Sequence, residues 1–157
     1  MCFPVGQLPV LEIDGLTLYQ STAICRYLGR KLGLAGKDAK DAVMCDIMAD
    51  NVNDLRVWLG MIFHEANAEA REQKREVVMN QVNLILTKMN QEATQNNGFL
   101  VGSQLTWVDF VLVGMSGYLC TMFGKDVFSE RNALSKLRDT VRALPAVRLY
   151  CDKQQSH

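Results

Sequence analysis

The sequence has 157 residues, of which 48% are apolar, and 17 basic residues balance 17 acidic ones. A chain of this size and composition can bury a substantial core, and its zero formal net charge gives no concentrated basic surface for nucleic acid or an anionic membrane. No run of about 18 apolar residues predicts a membrane-spanning helix, and no secretory signal pattern opens the sequence, so a cytoplasmic protein is expected.

The cysteines predict free thiols rather than a disulfide framework or a zinc site. Their number is odd, and no two of them are spaced as C-x-x-C. We therefore expect buried thiols in a reducing compartment. The positions are Cys2, Cys25, Cys45, Cys120 and Cys151.

Residues 9–19 predict a β-hairpin. The segment Val10 to Ile13 is rich in β-formers, and Leu16-Thr17-Leu18 alternates apolar and polar side chains. Asp14-Gly15 between them is typical of a two-residue hairpin turn. An isolated two-stranded hairpin is marginally stable in water, so these strands should belong to a larger sheet. No other segment convincingly predicts a strand, so the remaining strands would be missing from the chain or supplied by a partner.

The rest of the chain has the apolar period of α-helices. A first helix is expected to begin at Ser21, a favourable N-terminal residue, and to end near Gly33. A short linker then covers residues 34–37. Beyond it the pattern predicts helices over 38–64 and 69–93, a break at Asn96-Asn97-Gly98, a buried helix opened by residues 106–109, and two short helices over 129–152 divided at Pro145.

Thr106 and Asp109 have the spacing of a capping box, in which side chains satisfy N–H groups at the start of a helix. In a buried helix this serves folding rather than catalysis, and Trp107 is expected to be a core residue. His64 and His157 show no catalytic pairing pattern, and His64 is expected at the surface near a helix C-terminus.

Three motifs, in this order, resemble those of the glutathione transferases. Gly6 to Gly15 (GQLPVLEIDG) is similar to the family's strand-three motif, and Gln20 to Leu28 (QSTAICRYL) is similar to its helix-three motif. Leu105 to Phe110 (LTWVDF) resembles the capping box of its buried sixth helix. Together with Leu34-Ala35-Gly36, these motifs resemble the sigma class, which includes hematopoietic-type prostaglandin D synthase.

The resemblance implies an α+β fold that is mainly α, and a homodimer. Residues 1–34 would form a partial thioredoxin-like domain, a β-hairpin plus a helix, that binds glutathione. Residues 38–157 would form the all-helical C-terminal domain. The family's first strand, first helix and second strand would precede this chain, which would explain the unsupported hairpin.

The function implied for the intact form is conjugation of glutathione to hydrophobic electrophiles. The family's catalytic tyrosine lies in the preceding segment, and none of the four tyrosines of this chain matches it. No catalytic residue is therefore expected here, and the chain alone should be weakly active or inactive. Two alternatives stay open: a non-enzymatic relative akin to lens crystallins, and an inactive fragment that binds a partner through the strand edge near residues 9–13. The tyrosines are Tyr19, Tyr27, Tyr118 and Tyr150.

The resemblance also implies how glutathione would bind. Leu8-Pro9 would be a cis-proline site that pairs with the cysteinyl part of the ligand. Gln20-Ser21, at a helix N-terminus, would take the γ-glutamyl carboxylate. Asp54 would reach the γ-glutamyl amine bound by the neighbouring subunit. By themselves these residues also fit a trans-proline at a strand start and an ordinary helix cap. The implied glutathione-binding residues are Gln7, Leu8, Pro9, Gln20, Ser21 and Asp54.

Asp50, Asn53 and Asp54 share one helix face. In some relatives this cluster is entirely acidic and binds a divalent ion. Here the middle residue is uncharged, and hard cations prefer several carboxylates, so no metal site is predicted. On the same helix, position alone makes Val57, Met61 and Phe63 candidates for the lining of an electrophile pocket.

Overall fold

The computed structural model describes residues 6–155, so Cys2 and His157 lie outside the described part of the chain. The fold is α+β and mainly α, as predicted. In chain order the elements are β1 (Val10–Ile13), β2 (Leu16–Tyr19), α1 (Ser21–Lys31), α2 (Ala39–Phe63), α3 (Ala68–Gln95), α4 (Trp107–Phe123), α5 (Asn132–Ala143) and α6 (Pro145–Gln155).

Strands β1 and β2 form the predicted hairpin and are the only sheet within residues 6–155. They pair antiparallel, with Ile13 opposite Leu16 next to the turn. Asp14 and Gly15 have φ angles of 52° and 74°, which a two-residue turn of this kind requires and which suit Asp and Gly. The Asp14 carboxylate accepts hydrogen bonds from the Lys31 ammonium and, at 2.6 Å, from the Tyr27 hydroxyl. The turn is thereby tied to α1.

Helix α1 packs on α4 at a close contact between Gly29 and Trp107. A Cβ atom at position 29 would lie 2.6–2.8 Å from Trp107 side-chain atoms, so only glycine allows this approach. The backbone N–H of Trp107 donates a hydrogen bond to the Leu34 carbonyl at 2.9 Å. Arg26 donates to Asp46 of α2 at 2.6 Å and lies over the Trp107 ring at 5.9 Å. These contacts attach the hairpin and α1 to the remaining helices.

The core lies among α2, α3, α4 and α5. The long helices α2 and α3 begin at caps, where the Asp38 carboxylate accepts from Asp41 N–H at 2.9 Å and the Asn67 side chain accepts from Ala70 N–H at 3.0 Å. Their bounds agree with the predicted helices within about two residues. Large side chains that are fully buried in this core include Met48, Leu55, Leu59, Leu86, Met89, Leu112, Leu119, Phe128, Leu134 and Leu137.

Helix α4 begins at the predicted capping box. The Asp109 carboxylate accepts from the Thr106 N–H at 2.7 Å and from the Thr106 hydroxyl at 2.9 Å. It also accepts from the Leu100 N–H at 2.9 Å, a bond that the local pattern did not indicate. Asp109 has no exposed surface, and burial raises the pKa of its carboxyl. Trp107, 4% exposed, is a core residue as expected.

The prediction of buried thiols holds fully for one described cysteine. Cys45 is buried, and desolvation raises the pKa of its thiol to about 11. Cys25, Cys120 and Cys151 are free but only half-buried, and Cys25 and Cys120 pack at the margin of the core. Across residues 6–155, no helix combines the length and apolar character needed to cross a membrane.

Candidate functional site

A polar cavity of about 180 Å³ opens where the hairpin meets α1. Five of the six residues expected to bind glutathione lie together in its wall, although they come from separate parts of the hairpin region. Two further residues complete the lining. The polar cavity is lined by Gln7, Leu8, Pro9, Tyr19, Gln20, Ser21 and Arg56.

The cavity lies at the N-terminus of α1, which is suited to an anion. Gln20 lies between β2 and α1 with a φ of 71°, and its side chain makes no capping hydrogen bond. The first backbone bond of the helix runs from the Ile24 N–H to the Gln20 carbonyl at 3.0 Å. The first-turn N–H groups and the exposed Ser21 hydroxyl therefore remain available, and the helix dipole favours a negative charge there.

Leu8 and Pro9 form another part of the lining. The Leu8–Pro9 peptide is cis, as the resemblance implied. The Leu8 side chain is 75% exposed beside the start of β1. Tyr19, the last residue of β2, also lines the polar cavity and was not singled out from the sequence. Its position directly before Gln20-Ser21 was the available signal.

Helix α2 contributes Arg56 to the polar cavity, whereas Asp54 is exposed and does not line it. The Asn53 side-chain amide donates to the Thr22 hydroxyl at 3.2 Å, which fixes α2 against the first turn of α1. Arg56 follows Asn53 by three residues and so lies on the same face of α2. That helical spacing could have identified it, but sequence reasoning missed it.

A second, larger cavity of about 590 Å³ lies between the C-terminal part of α2 and α4. We call it the aromatic cavity. Two of the three residues suggested for an electrophile pocket, Val57 and Phe63, line it, whereas Met61 does not. Phe63 and His64 meet edge to face with ring centroids 5.0 Å apart. The lining comprises Arg56, Val57, Gly60, Phe63, His64, Met115 and Tyr118.

Arg56 lines both cavities. Its position follows from the helical period, because residues 56, 57, 60, 63 and 64 recur at spacings that place them on one side of α2. The polar and aromatic cavities are therefore neighbours that share one lining residue, Arg56. His64 is exposed at the C-terminus of α2, as predicted, but its place in a cavity was not foreseen.

The tyrosines have different surroundings. Tyr27 donates its hydroxyl to Asp14, and this hydrogen bond raises the pKa of the phenol. Tyr118 lines the aromatic cavity, Tyr19 lines the polar one, and Tyr150 is exposed on α6. Within the described part of the chain, no group of three or more His, Cys, Asp or Glu side chains is arranged to hold a metal ion.

Comparison with known proteins identifies the family to which this architecture is similar. A model described as the glutathione S-transferase C-terminal domain matches residues 53–154, and one described as the N-terminal domain matches residues 1–30. Glutathione S-transferase 2 of Manduca sexta is 43% identical over 95% of this chain and 74% of its own length. Hematopoietic prostaglandin D synthase of Gallus gallus is 32% identical over 96% of this chain and 74% of its own length.

A comparison with solved structures identifies similar folds. The prostaglandin synthase D of Nilaparvata lugens superimposes with a TM-score of 0.87 at 34% identity, over 96% of this chain and 75% of that one. The chain spans 58–74% of the length of three curated insect relatives. The comparisons give no support to the non-enzymatic, crystallin-like alternative.

Proposed function

This chain belongs to the glutathione S-transferase family as a sigma-like member, and on that premise we propose that its intact form conjugates glutathione to hydrophobic electrophiles. The observation that carries the proposal is the adjacency of the two cavities. A polar cavity at a helix N-terminus suits glutathione, and a larger aromatic cavity beside it suits an apolar reactant.

In this proposal the γ-glutamyl carboxylate binds at the first turn of α1. The free N–H groups there and the Ser21 hydroxyl donate to its oxygens, and the Gln20 side chain orients it. Gln7, Leu8 and Pro9 also line the polar cavity and would hold the cysteinyl part. The thiol would then face the boundary with the aromatic cavity.

The reaction is attack of the glutathione sulfur on an electrophilic carbon. The thiolate is the nucleophile, so the thiol proton must leave before or during bond formation. With an aryl chloride, the new C–S bond replaces the C–Cl bond and chloride departs. The two cavities supply proximity, because they hold the sulfur and the carbon on either side of Arg56.

Asp54 is assigned to a different subunit in this proposal. It is exposed and lies outside its own chain's polar cavity, on the same helix as Asn53 and Arg56. In a homodimer, Asp54 would reach the γ-glutamyl amine bound by a second copy. We place this homodimer in the cytoplasm.

The proposed function is tested by titrating glutathione into the 157-residue chain in a calorimeter. Ser21→Ala should weaken glutathione binding about tenfold or more, because one hydrogen bond to a charged group is lost. Thr87→Ala is the matched control, since it removes an exposed hydroxyl from α3, away from the polar cavity. Equal affinities of the wild-type chain and Ser21→Ala would refute this binding site.

A conjugation assay with a nitro-activated aryl chloride completes the test. We expect the rate for the 157-residue chain to be low, because no group in it is assigned to activate the thiol. Tyr19→Phe addresses the tyrosine that lines the polar cavity. If the wild-type chain shows a clear conjugation rate and Tyr19→Phe abolishes it, Tyr19 is the group that activates the thiol. The expectation that this chain holds no such group would then be wrong.

A further inference from the structure

We propose that Arg56 selects electrophiles that carry a carboxylate next to an apolar or aromatic body. This inference rests on the proposed function, because it names the substrate class of the same two-cavity site. The first observation is that the charge of Arg56 is not paired. Within the described part of the chain, the Arg56 side chain makes no hydrogen bond or ion pair, whereas Arg26, Arg75 and Arg138 each pair with a carboxylate.

The surroundings of Arg56 define what it can bind. Among the residues lining the aromatic cavity, it alone is charged at every ordinary pH. The other walls include the rings of Phe63 and Tyr118 and the thioether of Met115. A volume of about 590 Å³ is within the usual range for a small-molecule site. An apolar body would bury its surface against these walls and leave a polar group at the Arg56 end.

The chemistry of the guanidinium favours a carboxylate as that polar group. Its planar N–H donors match two carboxylate oxygens, and such charge-assisted bonds are stronger than neutral ones. The polar cavity already offers a second anion site at the N-terminus of α1, beside Ser21. The γ-glutamyl carboxylate of glutathione is thereby accommodated without Arg56. Arg56 is the one residue of the polar cavity's lining that also lines the aromatic cavity, so its guanidinium can take a carboxylate of the other reactant.

The position of Arg56 also sets where the carboxylate lies in the substrate. Arg56 lines both cavities, so an anion bound to it is close to the boundary that the reacting carbon must approach. The substrate class is therefore aromatic or apolar electrophiles with the carboxylate near the reacting carbon. The guanidinium would offset the repulsion between that carboxylate and the incoming thiolate.

The test uses two ligands of nearly the same shape, of which only the first is charged, 2-naphthoate and 2-naphthamide, titrated into the 157-residue chain. We expect naphthoate to bind about fivefold more tightly than naphthamide, as for a favourable exposed ion pair. Arg56→Gln should remove the difference by weakening naphthoate alone. Arg30→Gln is the matched control, because Arg30 is exposed on α1 and lines neither cavity. No preference in the wild-type chain, or a preference that survives Arg56→Gln, would overturn the proposal.

The binding site of each ligand is identified by NMR from the methyl resonance of Met115. This methyl group is labelled with carbon-13, and its resonance is assigned through Met115→Leu. Both ligands should shift this resonance, because Met115 lines the aromatic cavity only. Saturating glutathione should leave naphthoate bound. Displacement of naphthoate by glutathione would place its carboxylate in the polar cavity and overturn the proposal. If glutathione itself does not bind, the proposed function fails, while the naphthoate and naphthamide comparison still decides the role of Arg56.

Discussion

Replacement of Asp109 is expected to destabilise the protein more than loss of an ordinary helix cap. Its carboxylate accepts three hydrogen bonds, from the Leu100 N–H, the Thr106 N–H and the Thr106 hydroxyl. Leu100 and Thr106 have no exposed surface, so water cannot easily replace the lost acceptor. Asp109→Ala would therefore leave two buried backbone donors without partners.

The expected loss can be estimated from these contacts. Each buried donor left unsatisfied costs about 1–3 kcal/mol, which gives a gross penalty of about 2–6 kcal/mol for the pair. Burial raises the pKa of Asp109, so removing the carboxylate also relieves a desolvation cost. A net loss of about 2–4 kcal/mol follows, above the roughly 0.5–2 kcal/mol of a cap alone. The melting temperature should fall by about 5–15 °C.

The assay is urea unfolding followed by circular dichroism, with a thermal melt on the same variants. Asp109→Asn keeps one acceptor oxygen and should lose about half as much stability as Asp109→Ala. Asp50→Ala is the control, because Asp50 is an exposed helical aspartate. A loss below about 1 kcal/mol for Asp109→Ala, relative to that control, would show that the three bonds do not act as described.

Two further substitutions test the packing and the electrostatics. Gly29→Ala should cost about 1–3 kcal/mol through overpacking against Trp107 and should change the tryptophan fluorescence, whereas Gly117→Ala, with open space around its Cβ, should be neutral or stabilising. Hydrogen bonds from Arg138 hold the pKa of Asp126 at about 2, below its ordinary 3.8. The stabilisation from this ionised carboxylate is complete above about pH 4 and is lost as the pH falls toward 2. In Asp126→Asn, the free energy of unfolding should therefore fall less steeply between pH 4 and pH 2 than in the wild-type chain.

The two results that would contradict these expectations are specific. A Gly29→Ala variant as stable as Gly117→Ala would mean that α1 can move away from Trp107 without cost. If the free energy of unfolding falls as steeply at low pH in Asp126→Asn as in the wild-type chain, other carboxylates are responsible for the loss of stability. Asp126 is largely exposed, so the difference in slope is expected to be small.

Much of the fold could be predicted because its signals are local. Asp14-Gly15 defines the hairpin turn, since both residues tolerate a positive φ. The apolar period placed α2 and α3 within about two residues of their observed bounds, and Pro145 marked the division between α5 and α6. The motif around Gln20-Ser21 placed the start of α1 for the same reason. The domain boundaries at residues 34 and 38 stay a prediction.

The candidate site could be predicted only in part, because two cavities are assembled from distant segments. The motifs identified Gln20 and Ser21, and the structure brings them together with Gln7, Leu8 and Pro9. Their binding roles stay proposals, as does that of Asp54. The aromatic cavity needs α2 and α4 side by side, and position along one helix could not separate Val57 and Phe63, which line it, from Met61, which does not.

The sequence by itself therefore determined the order of the elements and the family, since turn residues, apolar periods and short motifs act over a few neighbouring residues. Only the tertiary structure decided which side chains share a space. The bond from Leu100 to Asp109 joins residues nine apart, and the bond from Asn53 to Thr22 joins residues 31 apart. The second bond fixes α2 against α1 and brings Arg56 between the two cavities, because the relative placement of two helices depends on packing rather than on the pattern within either one.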